Sequence, residues 1–140
     1  MDFEIIPHTG VGTIKFNMSR GEVRSIYGGS FRSFRRWQDD EPLIDNYPQI
    51  GVFCYYDSVD RLEALEFVLP ARPIIAGLEL LGISFKNAFD NLRTLDSAVE
   101  KDEDGAVSLQ IGVGVWAPLA EEEPGEPVKT VIAFRPGYYD

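Results

Sequence analysis

Gly12-Thr13-Ile14-Lys15-Phe16-Asn17-Met18-Ser19-Arg20-Gly21-Glu22-Val23 carries a short apolar, strand-like run directly into a helix start. Ser19 with Glu22 three residues on forms a capping box. The serine oxygen takes the N–H of the third helical residue while the glutamate reaches back to the serine N–H. Met18 before the cap can pack on Val23 at the fourth helical position as a hydrophobic staple. Gly28-Gly29 stops the helix. Between cap and stop, Val23, Ile26 and Tyr27 recur at the i, i+3, i+4 spacing of one apolar face, which predicts that Arg20 and Arg24 point outward.

The same sentence of residues returns later in the chain. Gly77, Leu78, Leu80 and Leu81 lead into Ile83-Ser84, after which Phe85, Ala88, Phe89, Leu92 and Leu95 follow a helical stripe. Ser84 lies 65 residues after Ser19, and Gly77 lies 65 after Gly12. Ser84 can cap, with Asn87 where the first copy has its reciprocal Glu. Strand-like segments follow each helix: 31–37, 51–56 and 61–69 in the first copy, 107–111, 113–116 and 128–134 in the second. Asp57-Ser58-Val59-Asp60 reads as a hairpin connection, and Asp104-Gly105 as a tight turn between Ala98-Val99 and 107–111. Sequential strands with short connections pair antiparallel. The expected fold is therefore α+β. It is one domain, 1–140, built of two tandem repeats, 1–70 and 71–140, each a helix followed by an antiparallel meander. They share one core and one continuous sheet, with both helices on one face. Pro70-Ala71-Arg72-Pro73 marks the junction. Two acidic, proline-bearing loops, 39–48 and 117–127, occupy similar places in the copies.

The chain has 140 residues, 44% of them hydrophobic, enough for one domain with a sizeable core. Its formal net charge is −10. Residues 1–70 hold 7 Lys and Arg against 11 Asp and Glu, and residues 71–140 hold 6 against 12, so both halves are acidic. Such a surface repels nucleic acid and anionic membrane and attracts a basic protein. The single cysteine, Cys54, sits in the apolar run Val52-Phe53-Cys54-Tyr55-Tyr56 and reads as a buried, inert thiol. With no disulfide pair, no signal-peptide pattern and no apolar run long enough to span a membrane, a cytoplasmic location is expected.

Tests for catalytic chemistry return little. The single histidine, His8, makes a Cys54–His8 dyad conceivable but unsupported, and one Cys with one His cannot supply a zinc site. Residues 100–105 resemble the start of a calcium loop, yet Ile111 stands where the bidentate Glu belongs. Gly10-Val11-Gly12 and Gly112-Val113-Gly114 lack the third glycine of a dinucleotide fingerprint. Arg32, Arg35 and Arg36 beside Phe31, Phe34 and Trp37 read as salt-bridge donors rather than a nucleic-acid patch. No catalytic residue, cofactor or metal is expected. The residues that stand out are Glu121, Glu122, Glu123 and Glu126 in the second acidic loop and Tyr138 and Tyr139 near the C-terminus, a composition suited to binding a basic protein. Two alternatives stand beside this. One is a small-ligand binder or hydrolytic enzyme using Asp57, Asp60 or Glu66 on a sheet face; the other is a structural homodimer joined through sheet edges.

The run from Gly12 to Val23, closed by Gly28, resembles the pattern "glycine, apolar strand, Met-Ser-x-x-Glu-Val, glycine" of the tandem-repeat group that includes beta-lactamase inhibitor protein and related small outer-membrane assembly lipoproteins. It covers about 17 residues well. The chain departs from the secreted members in lacking a signal peptide and a disulfide-forming pair. It is also similar to small bacterial cytoplasmic proteins that act as immunity partners of toxins, a likeness carried by the closing Gly-Tyr-Tyr-Asp. The resemblance implies an inhibitor of a protein partner, such as a toxin domain, and carries no functional residue over.

Overall fold

The computed structural model describes residues 2–35, 41–123 and 125–139. Arg36 and Trp37 of the expected 31–37 strand, Asp39 and Asp40 of the first acidic loop, Pro124 of the second and the terminal Asp140 lie outside the described residues. The fold is mixed α+β and mostly sheet. In chain order its elements are β1 (Asp2–Ile6), β2 (Gly10–Val11), β3 (Ile14–Lys15), α1 (Arg20–Tyr27), β4 (Arg32–Phe34), β5 (Ile44–Tyr47), β6 (Val52–Tyr56) and β7 (Leu62–Phe67). These are followed by β8 (Arg72–Ile75), β9 (Leu78–Glu79), α2 (Phe85–Leu95), β10 (Gly105–Ser108), β11 (Val113–Trp116) and β12 (Thr130–Phe134).

Two sheets form where the sequence reading expects one. The larger runs in the order β10-β11-β12-β7-β6-β5-β4 and is antiparallel throughout. The smaller runs β3-β2-β1-β8-β9, with β1 and β8 parallel at its centre. The second sheet arises because the segments ahead of each helix pair with one another. Arg72 and Pro73, expected as junction residues, lie in β8, where Pro73 sits opposite Phe3. β9 pairs only with Ile74 and Ile75, so proline's missing N–H falls beyond the end of β9 and breaks no ladder bond to it. Ala98-Val99 forms no strand; the turn at Asp104-Gly105 instead joins an isolated bridge at Lys101 to β10.

Side chains from both sheets and both helices meet in one apolar cluster, including Ile5, Ile14, Ile75, Val23, Leu92, Leu65, Phe67 and Val131. In β7 the simple alternation fails. The register slips between Tyr55 and Tyr56, so that Tyr55 faces Ala64 while Tyr56 faces Leu62. Glu63 is the extra residue of this bulge, which returns Leu62 to the same cluster as Leu65.

The helix starts follow the sequence reading. Ser19 caps α1 with the reciprocal Glu22 bond in place, Ser84 caps α2 by accepting from the Asn87 N–H, and Gly28 ends α1. The faces of α1 do not. Ile26 is 47% exposed, whereas Arg20 is buried. Arg20 donates to Asp45 at 3.1 Å, to both oxygens of Asp60 and to the Leu43 carbonyl at 2.8 Å. Arg24, expected outward, donates to both Asp45 oxygens at 2.8 and 3.0 Å. Ser33 donates to Asp45 at 2.6 Å. The guanidinium groups lie over aromatic rings, Arg20 over Tyr56 at 4.1 Å and Arg24 over Phe31 at 4.4 Å. Arginine stems thus cover apolar surface while their heads find carboxylates, which hydrophobic periodicity alone does not register.

Candidate functional site

Pleating sends alternate residues of the seven-stranded sheet to opposite faces. One set, with Cys54, Leu65, Phe67, Val113 and Val131, belongs to the main cluster. The other set builds a small second cluster of Ile44, Tyr55, Ala64 and Phe134, with Phe53, Ile132 and Tyr138 packed on it. The strand registers line up Val107, Gly114, Ile132, Glu66 and Phe53 as neighbours across five strands of this face. Trp116, two residues beyond Gly114 on β11, shares the face and is 49% exposed. Phe34 on β4 stacks edge-on against Phe53 at 6.3 Å between centroids and is itself exposed.

A groove of about 380 Å3 opens around Gly114. A Cβ there would stand 3.2 Å from a methyl of Ile132 on one side and 3.2 Å from a methyl of Val107 on the other, tighter than ordinary contact, so glycine lets these two side chains close in over the strand at the floor of the groove. Gly105 permits the hairpin beside it, since a Cβ would collide with the Val115 carbonyl oxygen at 2.1 Å. Trp116 and Tyr139 stand at the groove, together with the carboxylates of Glu66, Asp102 and Asp104.

Each carboxylate is positioned by its own local chemistry. Glu66 accepts the Tyr55 hydroxyl at 2.8 Å. Asp102 accepts the backbone N–H groups of Asp104 and Gly105 at 2.8 and 2.9 Å, an Asx turn that fixes the hairpin tip. Among the described residues none of the three forms an ion pair. Tyr139 packs edge-on against Phe134 at 4.8 Å, and Tyr138 stacks on the same ring at 5.7 Å. Burial, and then the charge of Glu66, hold the Tyr139 phenol above its ordinary value.

The residues singled out from sequence fall in two places. Tyr139 lines the groove and Tyr138 supports it from the second cluster. Glu121 lines a neighbouring groove of about 590 Å3 beside Phe85 and Phe89 of α2, which meets the first at Asp102. Glu122 and Glu123 are exposed, and Glu126 pairs with Lys129 at 3.3 Å while its carbonyl accepts the Phe85 N–H at the start of α2. The acidic loop and the tyrosines therefore flank one edge of the sheet without sharing a groove. Trp116, Gly114, Asp102 and Asp104 were not among the residues marked from sequence. The signal was there in Val113-Gly114-Val115-Trp116, whose period of two puts a glycine and a tryptophan on the same side.

Of the carboxylates grouped for the enzyme reading, only Glu66 lines this groove. Asp57 accepts from the Val59 and Arg61 backbone and from Arg135 at 2.9 Å. Burial pushes its carboxyl up, but those bonds outweigh it and the net is downward. Asp60 is held below its ordinary value by the Arg20 guanidinium. Glu63 is pushed up by burial, against the pull of Arg135. Cys54 is fully buried and burial drives its thiol up, which suits packing rather than nucleophilic attack. His8 bonds through Nε2 to the Gln110 carbonyl, remote in sequence from Cys54.

No three or more His, Cys, Asp or Glu side chains among the described residues are grouped to hold a metal ion. None of their helices is long and apolar enough to cross a membrane. What the arrangement offers is an aromatic surface with negative charge set into it that no cation among the described residues pairs. Comparison with family models, with curated proteins and with solved structures gives no match.

Proposed function

We propose that this is a cytoplasmic protein-binding protein, of the kind exemplified by immunity-type inhibitors, and that the second face of the seven-stranded sheet receives a basic partner. The observation that carries the reading is the coincidence, on that face, of exposed Trp116, Tyr139 and Phe34 with carboxylates that have no ion-pair partner among the described residues. Large aromatic side chains supply contact area at small entropic cost, and they dominate the energetics of measured interfaces. The net charge of −10 steers a basic partner toward the surface. The loop bearing Glu121, Glu122, Glu123 and Glu126 contributes to that long-range attraction.

The same proposal takes the chain as two copies of a helix-then-meander unit, with both helices on the face turned away from the partner. Support comes from the element order, in which α1 precedes β4–β7 and α2 precedes β10–β12, and from the adjacency of the last strands, β7 and β12, at the middle of the sheet. The buried residues of both helices join the main cluster rather than the second one.

The test is co-purification of tagged protein with the separately expressed products of its neighbouring genes. One basic product should be retained by the wild type and lost from a Trp116→Ala/Tyr139→Ala variant of unchanged melting temperature. Replacing the four loop glutamates by Gln should slow association several-fold and leave the complex intact. Equal retention by wild type and aromatic variant would remove this face from the proposal. A stable dimer of the chain alone, broken by the same two substitutions, would replace it with the homodimer reading.

A further inference from the structure

We infer that the groove around Gly114 is the seat of a single arginine or lysine side chain of the partner, an inference that rests on the sheet-face reading above. The floor of the groove is kept low by the absence of one side chain from an otherwise filled row. Val107 and Ile132 close in on Gly114 from either side, and together they give the methylene stem of an arriving residue an apolar floor to lie on. Trp116, on the same strand and face, and Tyr139 offer π surfaces to a cation, and tryptophan is the best of the aromatic partners.

The charges complete the fit. Glu66 lies next to Ile132 in the strand register, and Asp102 and Asp104 lie at the hairpin tip that opens onto Gly105. Glu66 is oriented by the Tyr55 hydroxyl, which occupies one oxygen as a neutral donor and leaves the negative charge without a cation among the described residues. Elsewhere in the fold carboxylates in comparable surroundings are matched by arginine: Asp45 by Arg20 and Arg24, Asp57 and Glu63 by Arg135. The groove is built of the same parts with the cation left to come from outside. A divalent metal is the poorer occupant, because these carboxylates form no metal-type grouping. A long cation with an apolar stem uses both the walls and the charges.

The neighbouring groove along α2 makes a useful contrast. Its Phe89 ring already has Arg93 and Lys101 over it, at 5.9 and 5.6 Å, so the cations there come from the chain itself. At Trp116 no such pairing is present among the described residues.

The experiment titrates uniformly 15N-labelled protein with N-acetyl-arginine amide and, separately, with the neutral isostere N-acetyl-citrulline amide. The arginine compound should give saturable shifts confined to the Trp116 indole N–H and the amides near Gly105 and Gly114. The citrulline compound should bind at least tenfold more weakly. Glu66→Gln, which keeps the bond from Tyr55, should weaken the arginine compound several-fold. Gly114→Ala, whose methyl would press on Val107 and Ile132 and raise the floor of the groove, should abolish its shifts. Equal shifts from both compounds, shifts elsewhere, or none would overturn the inference. That failure is separable from failure of the sheet-face reading. If the arginine compound does not bind but the Trp116→Ala/Tyr139→Ala variant still loses the partner, the face stands without this anchor. If that variant keeps the partner, the face itself falls.

Discussion

The two helices start alike and are held down in opposite ways. α2 buries Phe85, Ala88 and Leu92 along one stripe, and hydrophobic contact fixes it. α1 is three residues shorter, eight against eleven, and buries only Val23 and Arg20. Beside an edge-on contact of Tyr27 with Tyr47, its attachment to β5 is the Asp45 carboxylate, gripped by Arg20, Arg24 and Ser33. Burial alone would push the Asp45 carboxyl up, yet the Arg24 and Ser33 hydrogen bonds and the Arg20 charge bring it below its ordinary value. The lesson is that an inward helix face can be written in arginine wherever the facing strand supplies a carboxylate. Such a face is geometrically demanding, since its members tolerate loss of a partner poorly.

The sharpest way to break this contrast is Asp45→Ala. It leaves two guanidinium groups close together, Arg20 nearly closed to water and without its strand partner. The expected loss is about 3–5 kcal/mol of unfolding free energy, read by urea denaturation. A loss below about 1 kcal/mol would reduce the cluster to packing. The matching substitution on the other helix, Leu92→Ala, should cost about 2–4 kcal/mol through lost apolar contact and a cavity. Acid separates the two mechanisms. A carboxyl depressed in the folded state contributes stability that is fully present above its unfolded pKa, about 4, and is lost as pH falls through the lower folded value. The wild type and Leu92→Ala should therefore hold their stability down to about pH 5 and lose it below about pH 4, with Asp57 and Asp60, also depressed, adding to the fall. Glu63, pushed up by burial, acts with the opposite sign. Asp45→Asn should flatten the acid limb; an unchanged limb would assign acid sensitivity to other carboxylates.

The contrast also explains what could be read from sequence. α2 was legible because its stripe is apolar at every buried position, and both caps were legible because Ser-x-x-Glu and Ser-x-x-Asn are local chemistry. The meanders were legible from Gly51 to Phe67 and from Val113 to Phe134, where β-branched and aromatic residues run between turn residues. The inward turn of Arg20 and Arg24 was not, because it depends on Asp45, 25 and 21 residues away. The five-stranded sheet was missed for the same reason: β1 meets β8 across 70 residues, and neither strand reads strongly alone. At the candidate site Tyr139 could be picked out as an exposed aromatic. Glu66, Asp102 and Asp104 become neighbours only through strand registers and through a hairpin whose turn at Asp104-Gly105 was legible but whose partner, Lys101 rather than Ala98-Val99, was not.

The smallest effect probes the feature the helices share. Ser19→Ala and Ser84→Ala each free one backbone N–H, of Glu22 and of Asn87, at a typical cost of about 1 kcal/mol. In α1 the serine belongs to a two-way box, its own N–H donating to Glu22 at 3.0 Å, and that bond with the Ser19 side chain holds the Glu22 carboxyl below its ordinary value. In α2 Asn87 makes no return bond, but Phe85 and Ala88, both buried, keep the first turn in place. Loss of the cap should therefore cost more in α1, by about half a kcal/mol, and should raise amide exchange through its first turn while leaving the first turn of α2 protected. Ser84→Ala should produce the smaller and more local change. If the order is reversed, α1 owes its position to the Asp45 cluster alone and its cap merely decorates a helix already held from the side.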